Sequence, residues 1–232
     1  MFSRWKKSLA CLTCLAVFTI AQASEVQSHG VLFEKWIRET FFGGYKPSSY
    51  SQKWDIPKEA NKKYGSVPAN PKATKYGTPI GWGDALRQYD IDEPFLLIIG
   101  YWQQEGSAKR FVKIVAPTVT PEMHKRLWHP IRREDLEKLD AMIKDRNLDY
   151  KEARRLAQEM KKSPPFSEAI IELNPKIDSK TQRRLQCSLR FQDVFKHICP
   201  SVDPAPETDP LLFGVPVPIF DESPSRTFQE KK

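Results

Sequence analysis

Residues 52–104 decide the fold of this chain, and they read QKWDIPKEANKKYGSVPANPKATKYGTPIGWGDALRQYDIDEPFLLIIGYWQQ. The stretch ends in residues 94–102, an apolar run that predicts a strand in the core. Three polar positions precede this run: Asp55, then Lys72, then Asp84. Carboxylates hold hard divalent cations, and a nearby lysine can orient water or stabilise charge on a phosphate. The order therefore suggests a metal-dependent phosphodiester site.

The segments around this stretch predict an α/β domain. Apolar residues at helical spacing predict a first helix over residues 25–42, and a short strand over 52–57 follows it. Prolines restrict the extended segment 66–72 to an edge or irregular strand, and the glycines and prolines of 73–83 predict a loop. One helical turn is expected over 84–89, a second core strand over 109–116, helices over 120–128, 133–145 and 149–162, and strands over 169–173 and 185–191. We expect a mixed central β-sheet flanked by helices in residues 24–200, followed by a proline-rich extension over 201–232.

The N-terminus has the pattern of a secretory signal peptide. Three basic residues precede the apolar run 8–20, and Ala21-Gln22-Ala23 forms a small-x-small cleavage sequence. The run is about 13 residues long, which is short for a membrane span. We expect residues 1–23 to be removed and the protein to be exported to the periplasm or beyond, with no stable membrane span left after cleavage.

The net charge and the cysteine content are each compatible with more than one class of protein. The formal charge of +8 falls to +5 without the signal peptide, a basic excess that suits nucleic acid but also an ordinary basic protein. Cys187 and Cys199 remain, either as a disulfide or as two buried thiols. The four histidines lie far apart, and no nucleotide-binding or nucleophile-elbow motif occurs. A homodimer is one assembly the chain could form.

A basic segment lies between the two last predicted strands. Arginine and glutamine side chains can read base edges, and lysine and arginine side chains bind phosphates. The candidate nucleic-acid contacts in and around this predicted hairpin are Lys176, Lys180, Gln182, Arg183, Arg184 and Gln186. A basic hairpin that only keeps the protein soluble is the equal alternative.

Residues in the first half of the chain resemble the PD-(D/E)XK nuclease superfamily, the fold of many type II restriction endonucleases. The resemblance covers roughly residues 30–115, with a weaker match over 170–189. It rests on Phe33-Glu34 in the first helix, Trp54-Asp55-Ile56-Pro57, Asn70-Pro71-Lys72 and Gly83-Asp84. It implies a restriction-endonuclease-like fold that cleaves DNA with Mg²⁺ or Mn²⁺. By the same resemblance Asp55 is the first metal-binding acid, Lys72 the catalytic lysine, and Glu34 a supporting ligand.

The sequence departs from the family pattern at Asn70. The family places Asp or Glu two residues before the lysine, and an asparagine oxygen can ligate a metal but brings no charge. Either Asp84 supplies the missing carboxylate, or the site binds metal weakly and is inactive. The expectation is an exported Mg²⁺-dependent DNA endonuclease; the alternative is an exported non-catalytic binding or structural protein, on a degenerate nuclease fold or an unrelated α/β domain.

Overall fold

The larger sheet is built around one buried strand. The computed structural model describes residues 30–47, 53–178 and 182–220. Within it, β3 (Phe95–Glu105) pairs in parallel with β1 (Ala69–Lys75) and antiparallel with β4 (Ala108–Val115). The short β5 (Thr118–Val119) pairs with the start of β3. The prediction of a mixed α/β architecture, with a mixed sheet flanked by helices, is confirmed.

Both faces of β3 are covered, which explains its unbroken apolar sequence. Phe95, Leu97, Ile99 and Tyr101 belong to one core cluster, whereas Leu96, Ile98 and Trp102 belong to a second cluster. This alternation follows from the two-residue period of a strand. A segment that is apolar at every position is therefore stable only between two layers.

The helix α1, which runs through residues 30–41 of the described chain, covers the second of these faces. Its Phe33 and Ile37 are completely buried, and Phe33 stacks on Phe111 with ring centroids 4.6 Å apart. Gly43 and Gly44 follow the helix with φ of 61° and 73°, and the Gly44 amide donates to the Arg38 carbonyl at 2.9 Å. The two glycines thus end α1 in a left-handed cap.

A second, antiparallel sheet and three helices cover the opposite face. The sheet has the order β2 (Ile80–Asp84), β7 (Arg183–Leu189), β6 (Glu172–Ile177). Between β2 and β3 lies α2 (Ala85–Tyr89). The larger helices are α3 (Pro121–Trp128), α4 (Arg133–Lys144) and α5 (Tyr150–Met160), and shorter helical turns occupy Phe166–Glu168, Phe191–Asp193 and Val194–Ile198.

Three local predictions need correction. The loop predicted over 73–83 is wrong, because β1 extends to Lys75 and β2 begins at Ile80. Pairing with β3 and β7 overrides the glycines and prolines of that segment. The strand predicted over 52–57 is reduced to a bridge between Ile56 and Ala69. The strand predicted over 169–173 begins only at Glu172.

The proline positions agree with the strand order. Pro71 lies in β1 and Pro175 in β6, and each of these strands is the last in its sheet among the described strands. A proline has no amide hydrogen to donate, so it is tolerated where one side of the strand lacks a long partner. The predicted edge position of the 66–72 segment is confirmed.

The C-terminal part of the described chain runs along β4. The Glu207 amide donates to the Val112 carbonyl at 2.5 Å, and Phe220 forms a bridge with Lys109. A short hairpin of β8 (Leu211–Leu212) and β9 (Val215–Pro216) lies between these contacts. Cys187 and Cys199 are buried free thiols. None of the helices in the described ranges is long and apolar enough to cross a membrane.

Gly100 of β3 permits the close packing of α1 on the sheet. A Cβ atom there would lie 2.3 Å from Phe111 Cε1 and 2.6 Å from Phe33 Cζ. We expect Gly100→Ala to lower the free energy of unfolding by about 1–3 kcal/mol, because overpacking forces the aromatic pair apart. Urea denaturation measures this change.

The matched control is Gly81→Ala in β2, where an added Cβ meets no atom within 4 Å. This variant should be much less destabilised than Gly100→Ala. Equal losses in the two variants would contradict the packing account.

Candidate functional site

The central contact of the candidate site joins Asp55 to Lys72. Ile56 pairs with Ala69 through two backbone hydrogen bonds of 3.0 Å and 2.8 Å, which bring the segment before Ile56 alongside β1. Lys72 Nζ then donates to Asp55 Oδ2 at 3.1 Å. The side chains are 23% and 38% exposed, so the ion pair is accessible to a ligand. Two residues selected from sequence 17 positions apart therefore meet in space.

Asn70 lies on the same face of β1 as Lys72, two residues before it. Asp55, Asn70 and Lys72 line one cleft, which has a volume of ≈ 460 Å³. Asn70 is 5% exposed, and its Oδ1 has no hydrogen-bond partner among the described residues. A buried carbonyl oxygen without a donor costs free energy in the empty protein. A ligand that brings a cation or a donor into the cleft would recover this cost.

Glu34 reaches the same charges from α1. Burial raises the pKa of the Glu34 carboxyl, the Asp55 carboxylate raises this pKa further, and Lys72 and Arg38 oppose the increase. Arg38 Nη1 lies 3.7 Å from Glu34 Oε2. Glu34 therefore shares one electrostatic environment with Asp55 and Lys72. Three segments thus bring predicted site residues together: Asp55 meets Asn70 and Lys72 of β1 at the cleft, and Glu34 of α1 interacts with Asp55 and Lys72.

Asp84 lies at the N-terminus of α2, apart from the ion pair of Asp55 and Lys72. Its Oδ1 accepts a hydrogen bond from the Arg87 amide at 3.0 Å and caps the N-terminus of α2. Among the described residues that line the cleft, the neighbouring Gly83 is present and Asp84 is not. The helix that begins at Ala85 holds the Asp84 carboxylate at its own first turn. Asp84 is therefore engaged as a helix cap, and Asn70 is the residue whose oxygen lies in the cleft.

Two polar side chains of the cleft were not anticipated from the sequence. Gln88 of α2 and Trp82 of β2 are 9% and 3% exposed, and both line the cleft beside Asn70. Gln88 Oε1 and Trp82 Nε1 also have no partner in the described chain. Buried polar atoms without partners are rare, so three around one cleft mark a ligand site. The sequence signal was only a polar residue on a one-turn helix, and this does not show which way the side chain points.

The basic hairpin divides into structural and exposed residues. Arg183 is 9% exposed, and its guanidinium donates to the carbonyls of Ile143, Asp145 and Leu148. These contacts hold the link between α4 and α5, so Arg183 is not free to contact nucleic acid in this structure. Lys176 and Arg184 are exposed and lie opposite each other on β6 and β7.

The other residues of this hairpin that were predicted to contact nucleic acid lie in different environments. Gln182 is exposed directly before β7. Gln186 of β7 is partly buried and lies opposite Asp84 and Asn174. Lys180 lies outside the described residues, as do the predicted signal peptide and residues 221–232. The exposed pair of cations on this sheet is therefore Lys176 and Arg184.

A metal site here would have an unusual ligand set. In the described ranges, no group of three or more His, Cys, Asp or Glu side chains is arranged to hold a metal ion. The cleft wall instead offers the Asp55 carboxylate and the amide oxygen of Asn70. The Glu34 carboxylate of α1 does not line the cleft but interacts electrostatically with Asp55. Oxygen donors of this kind suit Mg²⁺ or Mn²⁺ rather than zinc.

Comparisons with protein-family models, curated proteins and solved structures gave no match to this chain.

The raised pKa of Glu34 has a consequence for stability. The unfolded carboxyl titrates near 4.5, whereas the folded one titrates higher. Between the two pKa values the folded protein binds more protons, so the free energy of unfolding falls as pH rises through that window. Glu34→Gln removes this effect, and we expect the stability of this variant relative to wild type to be greater at pH 7 than at pH 4. Denaturant titrations at both values measure the difference.

Glu39→Gln is the matched control on the same helix. Glu39 is 60% exposed and pairs with Lys35 at 3.8 Å. This variant reports the effect of removing an exposed carboxylate away from the cleft. If both variants changed with pH in the same way, the electrostatic coupling of Glu34 to the cleft would be contradicted.

Proposed function

We propose that this chain is a metal-dependent endonuclease that hydrolyses phosphodiester bonds in DNA on a restriction-endonuclease-like fold. The observation that carries the proposal is the ion pair of Lys72 with Asp55, 3.1 Å long, beside the unpartnered oxygen of Asn70. Acid, amide and lysine face one open cleft, and Glu34 adds a second acid from α1. The mixed sheet, with β1 at its edge and α1 on one face, is compatible with the proposed fold.

The cleft fits a hard divalent cation. Asp55, Glu34 and Asn70 would hold Mg²⁺ or Mn²⁺, because each offers an oxygen and two of them are carboxylates. Burial is the main reason for the raised pKa of Glu34, and the nearby Asp55 carboxylate adds to it, so a cation bound beside both carboxylates would favour the ionised form of Glu34. When bound, such a cation lowers the pKa of a coordinated water and polarises the phosphate.

Lys72 would supply the positive charge that stabilises the phosphate during the reaction. Asp55 holds the Lys72 ammonium at the wall of the cleft, where it can donate to a phosphate oxygen or orient the attacking water. Gln88 Oε1, which lacks a partner in the described chain, can accept a hydrogen bond from that water. The water oxygen forms a bond to phosphorus as the bond to the leaving sugar oxygen breaks; the water loses one proton to solvent, and the leaving oxygen takes one from solvent.

Binding of DNA would use the basic residues outside the cleft. Lys176 and Arg184 form an exposed pair, and their charges suit phosphate contacts. Export by the predicted signal peptide and a homodimeric assembly are further parts of the proposal.

A second candidate is a non-catalytic DNA-binding protein. Asn70 favours it, because the cleft lacks the charged ligand found at this position in the nuclease family, and Asp84 caps α2 instead. A purified wild type that binds DNA but does not cleave it with Mg²⁺ or Mn²⁺ would support this candidate.

Lys72→Ala tests the catalytic lysine. We expect the wild type to nick supercoiled plasmid with Mg²⁺ or Mn²⁺ and to stop when the metal is chelated. Loss of one transition-state donor should lower the single-turnover nicking rate by at least about 100-fold. Gel analysis of the plasmid forms measures the rate.

Lys75→Ala is the matched control for this variant, since Lys75 is exposed at the end of the same strand. It should retain the wild-type rate, and thermal unfolding of both variants should show that they fold. Nicking by Lys72→Ala at the wild-type rate would exclude the proposed role of Lys72.

Asn70→Asp tests the ligand set. The added carboxylate should lower the Mg²⁺ concentration needed for half-maximal nicking, because a charged oxygen binds the cation more strongly. Without metal, the Asn70→Asp variant should unfold at a lower temperature than wild type, since the new carboxylate adds to the repulsion between Glu34 and Asp55. Asn70→Ala, which removes the oxygen, should need more Mg²⁺ than wild type. If all three proteins had the same Mg²⁺ dependence, Asn70 would not be a ligand.

A further inference from the structure

A second cavity lies beside the cleft and is not used by the proposed chemistry. It has a volume of ≈ 600 Å³ and lies where the end of α2 approaches α3 and the residues that follow α3. Asp90 and Ile91 line both the cavity and the cleft. A ligand bound at the phosphodiester site could therefore extend directly into the cavity.

The walls of this cavity are suited to a flat ring. Tyr89 and Trp128 contact each other edge to face, with ring centroids 5.3 Å apart. His124 contacts Trp128 at 6.1 Å, and it also lies 6.4 Å from Trp82, which belongs to the wall of the cleft. Aromatic surfaces bind the faces of nucleobases without requiring a particular sequence.

His124 supplies a polar group in this aromatic environment. It is 1% exposed, and its Nε2 accepts a hydrogen bond from Trp128 Nε1 at 3.2 Å. Burial lowers the pKa of His124 to about 4, so the imidazole is neutral at pH 7. The accepting Nε2 carries no proton, which places the proton on Nδ1. His124 therefore presents an Nδ1–H donor at the wall of the cavity that it lines.

We propose that this cavity holds one unpaired nucleobase of the strand whose phosphate occupies the cleft, an inference that rests on the proposed nuclease function. Tyr89 and Trp128 provide aromatic surface for the base, and His124 Nδ1–H donates to a ring nitrogen or carbonyl oxygen of it. Lys125, exposed at the rim, is placed to meet the flanking backbone.

This arrangement determines which DNA is preferred. A base can enter the cavity only after it leaves its stack and its partner, and this costs free energy in a paired duplex. In single strands, bulges and mismatches the base is already unpaired or poorly stacked, so less free energy is needed to move it into the cavity. The substrate class is therefore DNA with an unpaired nucleotide at the cleaved position.

The test measures binding without cleavage. Lys72→Ala protein is titrated, without metal, into oligonucleotides that carry 2-aminopurine as the base of a single-nucleotide bulge or within a fully paired duplex. We expect a change in 2-aminopurine fluorescence with the bulge and an affinity at least about tenfold higher than for the duplex. Equal affinities for bulge and duplex would overturn the inference.

Two tyrosines provide a matched pair of variants in the same background. The Tyr89 hydroxyl donates to the Ile131 carbonyl at 3.3 Å, and the Tyr76 hydroxyl donates to the Pro204 carbonyl at 2.8 Å away from the cavity. Tyr89→Leu should weaken bulge binding about tenfold, and Tyr76→Leu should leave it unchanged. His124→Phe, which keeps the ring and removes the donor, should also weaken it. Equal effects of Tyr89→Leu and Tyr76→Leu would exclude the cavity as the base site.

The outcome separates this inference from the nuclease proposal. Bulge binding that depends on Tyr89, in a protein that never nicks plasmid, would support the cavity and refute the catalytic function. Nicking that depends on Lys72, with no preference for the bulge, would support the nuclease and refute the cavity as a base site.

Discussion

The parallel pairing of β1 with β3 is the constraint on which the site depends. Ala69 aligns with Leu96 and Lys72 with Ile99, so the buried strand fixes the register of the edge strand. A shift of one residue would move Asn70 and Lys72 to the opposite face, since side chains alternate along a strand. The apolar sequence of β3 therefore sets the position of the lysine, although β3 contributes none of the charged groups of the cleft.

Several buried polar atoms without a partner lie around the cleft. Asn70, Gln88 and Trp82 each leave such an atom in the described chain, and Glu34 titrates above its usual pKa. Tyr101, Asp140 and Arg183 leave others away from the cleft, although the Arg183 guanidinium still donates to three carbonyls. Groups held in an unfavourable state around one opening are typical of a binding or catalytic site, because their cost is recovered when a ligand arrives.

Sequence reasoning succeeded where a single local signal was sufficient. The apolar run of β3 and the Thr120-Pro121 start of α3 both occur as predicted, because core burial and helix capping act over a few residues. It failed for β2, whose glycines and Pro79 suggested a loop, since only the distant partner β7 makes that segment a strand. Arg183 was assigned to nucleic acid because it lies in a basic run. The carbonyls after α4 that bind it could not be located from the sequence.

For the candidate site, order along the chain was only a partial guide. Asp55, Lys72 and Asp84 were selected by their order, and of these Asp55 and Lys72 meet in space. The position of Asp84 before α2 makes it a cap, and Glu34 was selected only through the family resemblance. The burial of Asn70 and the orientation of Gln88 depend on how β2 and α2 pack against β1, which no short motif encodes.

The asparagine at position 70 is consistent with the charges around it. Two carboxylates, Glu34 and Asp55, are opposed by two cations, Lys72 and Arg38. A third carboxylate at position 70 would add negative charge in a buried place and would raise the pKa of Glu34 further. The amide keeps an oxygen directed at the cleft while leaving this balance intact. In the proposed metal site, an asparagine at position 70 would bind a cation less strongly than a carboxylate, but it would destabilise the metal-free protein less.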